Sequence, residues 1–156
     1  MKQIKLITLL CLIFSLTQSF AVDTRKNDAK FIKKIQKAFQ NHNSESLVSL
    51  TLWTGISEKE KKSAIKKYKR EITLNMTRIE FKDAKPKDWK NWKSKDVEYT
   101  YNLPVSKEII VHLEKGSKIK LSFGEIPIKD IKLPVGKKDG KWYLLKSIKV
   151  TKEQQV

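Results

Sequence analysis

The chain has 156 residues, a single cysteine (Cys11) and 34 Lys and Arg against 17 Asp and Glu, for a formal net charge of +17. One cysteine excludes an intramolecular disulfide framework and a thiolate metal centre, and five glycines with no Gly-rich run exclude a phosphate-cradling loop. The charge points to polyanionic partners, but lysine outnumbers arginine 31 to 3, so the planar fork that recognises phosphates and bases bidentately is scarce.

An AT-rich genome produces the same lysine excess with no polyanion involved. The first 21 residues carry the pattern of a secretory signal peptide. Lys2 and Lys5 precede an uncharged apolar run from Leu6 to Leu16, and Ser19-Phe20-Ala21 is a small-x-small cleavage site. The run falls short of the ~20 apolar residues that a spanning helix needs. Leu10 stands where a lipidated Cys11 would want a small residue. Cleavage after Ala21 leaves residues 22–156 as one domain of formal charge +15 without cysteine, exported to the periplasm or secreted.

Asn27 to Asn41 predicts an amphipathic helix, with Phe31, Ile35 and Phe39 recurring every four residues beside Ile32 and Ala38. Asn41-His42-Asn43-Ser44 breaks it, with Ser44 as the cap of a short second helix in which Leu47 and Leu50 share a side. His42 has no carboxylate at an obvious pairing distance in sequence and is expected to be a solvated turn residue. Trp53-Thr54-Gly55-Ile56 is a connector, after which Ser57 and Glu60 form a capping box for a third helix to about Glu71. Ala64, Ile65, Tyr68 and Ile72 fall on one face, and Lys59, Lys62, Lys66, Lys69 and Arg70 on the opposite one. That basic stripe is either a solvated face or a docking stripe for an anionic surface.

From Arg78 the period changes to two, Ile79 and Phe81 alternating with Glu80 and Lys82 in a strand that ends by Pro86. Lys85 to Lys95 then interleaves Trp89 and Trp92 with Lys87, Lys90, Lys93 and Lys95. Such a stretch offers charge and stacking to an anionic polymer or a membrane interface, or is a long loop whose tryptophans cap the core. Export makes nucleic acid a poor partner. Three strands follow, from Val97 to Val105, Ile109 to Leu113 and Ile119 to Phe123, with Lys115-Gly116-Ser117 as the turn between the last two. Pro104 and Pro134 mark edges or bulges, and a bend is expected near Lys129-Asp130.

Lys129 to Val150 is a hairpin about Asp139-Gly140, a pair suited to a type I′ turn, with Val135 facing Leu144 and Ile131 facing Ile148. Its second strand sends Trp142, Leu144, Ile148 and Val150 one way and Tyr143 and Leu145 the other, which places it inside a sheet covered on both sides. The expected fold is α+β, three N-terminal helices packed on a curved, mainly antiparallel sheet of four to six strands.

This order of elements, the break into a second short helix at Asn41 to Thr51, and the closing GKKDGKWYLLKSI resemble the nuclear transport factor 2-like superfamily. That cone-shaped, cystatin-like group includes small exported bacterial members, and the resemblance covers roughly Asp28 to Val150. It implies a cone pocket, used in the superfamily by enzymes such as ketosteroid isomerase or for ligand and partner binding. Neither the ionised aspartate base nor the oxyanion donor of an isomerase maps onto a residue of this chain. His112, titratable beside apolar neighbours, is the candidate pocket residue. Lys62, Lys66, Lys69, Arg70, Trp89, Lys90, Trp92 and Lys93 are the candidate anionic-surface contact.

No residue is assigned a catalytic, cofactor or metal role, and no cofactor is expected. The function expected is an exported noncatalytic binding or interaction module for a small molecule or envelope component. One alternative is a pocket enzyme of isomerase or dehydratase type. The other is a cationic envelope protein holding an anionic polymer or membrane surface, and a homodimer is compatible with each.

Overall fold

The computed structural model describes residues 26–94 and 97–150; the signal segment, Cys11, the cleavage site after Ala21 and Lys95 lie outside the described residues. Helix α1 (residues 26–40) buries Phe31, Ile35, Ala38 and Phe39 while Lys30, Lys33, Lys34 and Lys37 stay in water. Each large side chain on that stripe contributes about 1.5–3 kcal/mol by leaving water. The helix ends where His42 takes φ 49, a left-handed conformation, and the His42 ring Nδ1 lies 2.6 Å from the carbonyl of Ile72. His42 is therefore the exposed turn residue expected, with its ring also tethered to the end of the third helix.

Helix α2 (Ser44–Ser49) is capped by Asn43 rather than Ser44. The Asn43 carboxamide accepts from the N–H of Glu45 at 3.0 Å and of Ser46 at 3.3 Å, a reach that Ser44, already helical, does not have. Helix α3 (Glu58–Glu71) starts with the expected capping box between Ser57 and Glu60 and turns Tyr68, Glu71 and Ile72 inward. Among the described residues no helix is long and apolar enough to cross a membrane.

Nine strands follow among the described residues, all pairing antiparallel, so the chain is α+β with its strands divided among three sheets rather than one. The four-stranded sheet runs β1 (Met76–Asp83), β4 (Lys107–Leu113), β7 (Asp130–Lys138), β8 (Lys141–Leu144) in that order. Ile109, Val111 and Leu113 of β4 and Ile131, Leu133 and Val135 of β7 join Leu144 and the helix residues Phe31, Ile35, Phe39, Leu47, Tyr68 and Ile72 in one core. A three-stranded sheet is built from β2 (Trp92–Ser94), β3 (Val97–Tyr101) and β9 (Ser147–Lys149), and β5 (Lys118–Leu121) pairs with β6 (Gly124–Pro127).

The Asp139-Gly140 turn forms as expected, with both residues at positive φ (50 and 75) and Val135 opposite Leu144. Ile131 does not face Ile148. Its partner is Val111, because the chain leaves the four-stranded sheet after Leu144 and β9 sets Ile148 opposite Thr100. Leu144 also forms a parallel bridge with Thr51, so the outer edge of β8 is covered at that point by the segment after α2. Asn102 fixes the departure. Its backbone N–H donates to the Lys146 carbonyl at 3.0 Å and its side chain accepts from the Lys146 N–H at 3.2 Å.

Other differences are local. Pro134 sits in an inner strand, its carbonyl receiving the Leu145 N–H where β8 has ended, so the missing donor falls where no ladder partner is needed. Strand β3 stops at Tyr101, ahead of Pro104. Phe123 lies in the β5–β6 turn, 79% exposed, and the lysine-tryptophan stretch folds into a 3-10 turn (Pro86–Trp89) followed by β2.

Candidate functional site

A pocket of about 780 Å³ opens between the start of α3 and the β3–β9 edge. Its α3 wall carries Lys59, Ser63 and Lys67, one helical turn apart, and its sheet wall carries Tyr99, Lys146 and Lys149. Lys149 stands there because β9 pairs with β3 in a register that sets it opposite Tyr99. Gly55 and Ile56 close one end, Gly55 holding φ 75 with Ile148 directly above it. Among the described residues, four lysines thus line one cavity against a single carboxylate, Glu60.

Glu60 is already committed to the helix cap. It accepts from the Ser57 hydroxyl at 2.6 Å and the Ser57 N–H at 3.0 Å, and those bonds, with Lys149 nearby, hold its pKa below the usual carboxylate value. Glu60 therefore stays ionised, and its one negative charge stands against the four lysines and the positive end of a 14-residue helix.

Lys146 differs from the other three. It is half-buried, with Nζ 4.0 Å above the centroid of the fully buried Tyr68 ring. Burial, followed by repulsion from Lys67, pulls its pKa down to about 8, against a partial offset from Glu71. Beneath it Glu71 is 4% exposed, with Oε1 3.5 Å from Lys67 Nζ and Oε2 without a hydrogen-bond partner. Burial raises the Glu71 pKa.

The basic stripe named as a candidate anionic-surface contact lies elsewhere on α3. Lys62, Lys66 and Lys69 are exposed and line none of the three cavities described in this section, and at about 100° per residue they are centred roughly a quarter turn from Lys59, Ser63 and Lys67. Arg70 is half-buried with an unpartnered Nε. Trp92, 38% exposed, stacks on Tyr99 at 5.3 Å and 11°, so it backs the pocket wall without entering it. Trp89 donates from Nε1 to Glu108 at 3.1 Å and meets Tyr101 edge-on at 5.6 Å, in a separate groove of about 390 Å³. Lys90 and Lys93 are exposed beside them.

His112 lines none of these cavities. It projects from β4 on the face opposite the core, with Nδ1 2.7 Å from Asp130 Oδ1 and Nε2 3.1 Å from Glu80 Oε1, the latter contact off the hydrogen-bond line. Another groove, of about 370 Å³, runs between α1 and β8, and its Phe31 and Trp142 belong to or border the core. Among the described residues no group of three His, Cys, Asp or Glu is placed to hold a metal ion.

Sequence reasoning singled out Lys59 only as part of the stripe and passed over Lys67, Lys146 and Lys149. The available signal was Lys146 itself, a charge directly following the apolar pair Leu144-Leu145 in a closing strand. Comparisons with protein-family models, with curated proteins and with solved structures find no match.

Proposed function

We propose that the chain is an exported, noncatalytic binding module that takes a small anionic ligand into the pocket between α3 and the β3–β9 edge. The observation that carries this reading is the convergence of Lys59, Lys67, Lys146 and Lys149 on one cavity that, among the described residues, has Glu60 as its one lining carboxylate. Tyr99 adds a flat apolar wall, which suits a ligand bearing both a negative group and a planar or sugar ring. Export rests on the signal pattern of residues 1–21.

Helices followed by an antiparallel sheet, in the order seen, support the nuclear transport factor 2-like reading with the helices on a curved sheet. The binding site assigned here is at the edge of that arrangement. The helix-facing sheet surface is filled by Ile35, Phe39, Leu47, Ile109, Val111, Val135 and Leu144, each at most 1% exposed.

The test is calorimetric titration of the mature protein with inorganic pyrophosphate, glucose 6-phosphate and citrate at physiological salt. At least one probe should bind saturably, and replacing Lys59 and Lys149 with Ala should weaken it by tenfold or more. Replacing Lys62, Lys66 and Lys69 should change it less than threefold. Equal losses from both sets, or no saturable binding by any probe, overturn the reading.

A further inference from the structure

We infer that Lys146 is the reactive group of this pocket, an amine that anchors an anionic carbonyl compound through a reversible Schiff base; this rests on the anion-pocket reading above. The geometry sets Lys146 apart from the surface lysines. Its backbone is held on both sides by Asn102, which fixes where the side chain enters the pocket. Its ammonium lies over the Tyr68 ring, and among the described residues no carboxylate stands within ion-pair distance of Nζ. Lys67, from the facing helix wall, adds a second positive charge to the same cavity.

A lysine desolvated and set beside another cation is in the environment that favours the neutral, nucleophilic amine. With its pKa at about 8, about a tenth of Lys146 is neutral at pH 7, against a few parts in ten thousand for an ordinary lysine. Among the described residues, the other titratable groups facing this cavity are Lys59, Lys149, Tyr99 and Glu60, with Glu71 and Tyr68 beneath.

The step balances without an oxidant. The Nζ lone pair attacks the carbonyl carbon, the C=O π pair moves to oxygen, and one proton passes from nitrogen to that oxygen to give a carbinolamine. The second nitrogen proton then leaves with the hydroxyl as water as the nitrogen lone pair closes the C=N bond, and addition of water reverses it. Lys59 and Lys149 hold the ligand's anionic group meanwhile, and Tyr99 flanks its body.

The probe is pyridoxal 5′-phosphate, which carries an aldehyde and a phosphate. Mature protein is mixed with one equivalent near neutral pH, reduced with sodium borohydride, digested and mapped by mass spectrometry. More than half of the label should sit on Lys146, and excess pyrophosphate should displace it. Lys146→Arg, which keeps the charge over Tyr68, should remove that label while Lys62→Arg leaves it unchanged, with circular dichroism confirming the fold of each. Label confined to Lys59, Lys67 or Lys149 refutes the reactive amine and leaves the anion pocket standing. Label spread over exposed lysines in proportion to their exposure refutes both.

Discussion

The hydroxyls of Tyr68 and Thr51 lie 3.0 Å apart in the interior, and the Thr51 hydroxyl donates a hydrogen bond to the Leu47 carbonyl at 2.8 Å. Two elements of the helical layer are joined by this chain of hydrogen bonds, α3 through Tyr68 and the end of α2 through Leu47. Tyr68 is fully buried, and burial drives its pKa well above the ordinary tyrosine value despite the Thr51 hydrogen bond.

A raised folded-state pKa means that this tyrosine stabilises the fold fully below its unfolded pKa and loses that contribution as pH climbs toward the folded one. One of the four tyrosines should therefore ionise only as the protein unfolds in alkali, seen as tyrosinate absorbance rising together with loss of circular dichroism. Tyr68→Phe should abolish that coincident component and cost about 1 kcal/mol at neutral pH. A full tyrosinate signal in the folded protein would contradict the buried hydroxyl pair.

Glu71 follows the same physics at lower pH. Its folded pKa is raised by burial, so its contribution is present below the unfolded carboxylate pKa and fades as pH rises above it. Glu71→Gln should raise the denaturation midpoint at neutral pH and leave it little changed in acid, flattening the pH profile. Lys67, whose side chain is half exposed, contributes little to offset this through its 3.5 Å contact. An equal shift at both pH values would mean that the carboxyl is not desolvated.

Two glycines should fail for different reasons. Gly140 has φ 75 and open space around it, so Gly140→Val carries only backbone strain, about 1–3 kcal/mol. Gly136 has ordinary backbone, but a β-carbon there would come within 2.9 Å of Leu145 Cδ1 and 3.0 Å of the Pro104 carbonyl. Gly136→Ala should cost about 1–3 kcal/mol by overpacking, and Leu145→Ala should recover part of that loss. Strict additivity in urea denaturation of the double variant would show that the two side chains do not collide.

Trp92 and Tyr99 should be coupled. Their stacked rings predict a coupling energy of about 0.5–1.5 kcal/mol in a double-mutant cycle with Phe-free replacements such as Trp92→Ala and Tyr99→Ala. Trp92→Ala should also loosen the pocket wall and weaken pyrophosphate binding, while Trp89→Ala, whose indole is tied to Glu108, should affect stability alone. Zero coupling would separate the tryptophan stretch from the pocket.

The elements whose signals are local were legible. Asp139-Gly140 fixed its hairpin, Ser57 and Glu60 their helix start, and Phe31, Ile35 and Phe39 their buried stripe, because each pattern is decided within a few residues. What the sequence hid was decided by partners far away. Alternation shows that Ile148 belongs to a strand but not that the strand has changed sheets, since either sheet accepts the same apolar period. The pocket was hidden for the same reason: Lys67 and Lys146 are 79 positions apart, on two walls that meet only in the folded chain. On α3 the stripe Lys62, Lys66 and Lys69 is exposed, as a solvated face requires, and solvation is what a regular charge period most often means.

Trp142 Nε1 donates to the Asp28 carboxylate at 2.7 Å across 114 positions of chain, and its ring meets Phe81 edge-on at 5.6 Å. The first helix is thus closed over by one of the last strands, which has consequences for the order of events in folding. Until the residues around Trp142 are present, α1 has no completed surface for Phe31 and Ile35, and β7 lacks its outer neighbour. Helices can flicker early, but the core contacts span nearly the whole polypeptide, so their loop-closure entropy must be met before they give any return. A chain still emerging from the ribosome therefore remains open, with its cooperative transition deferred until the residues around Trp142 have been made.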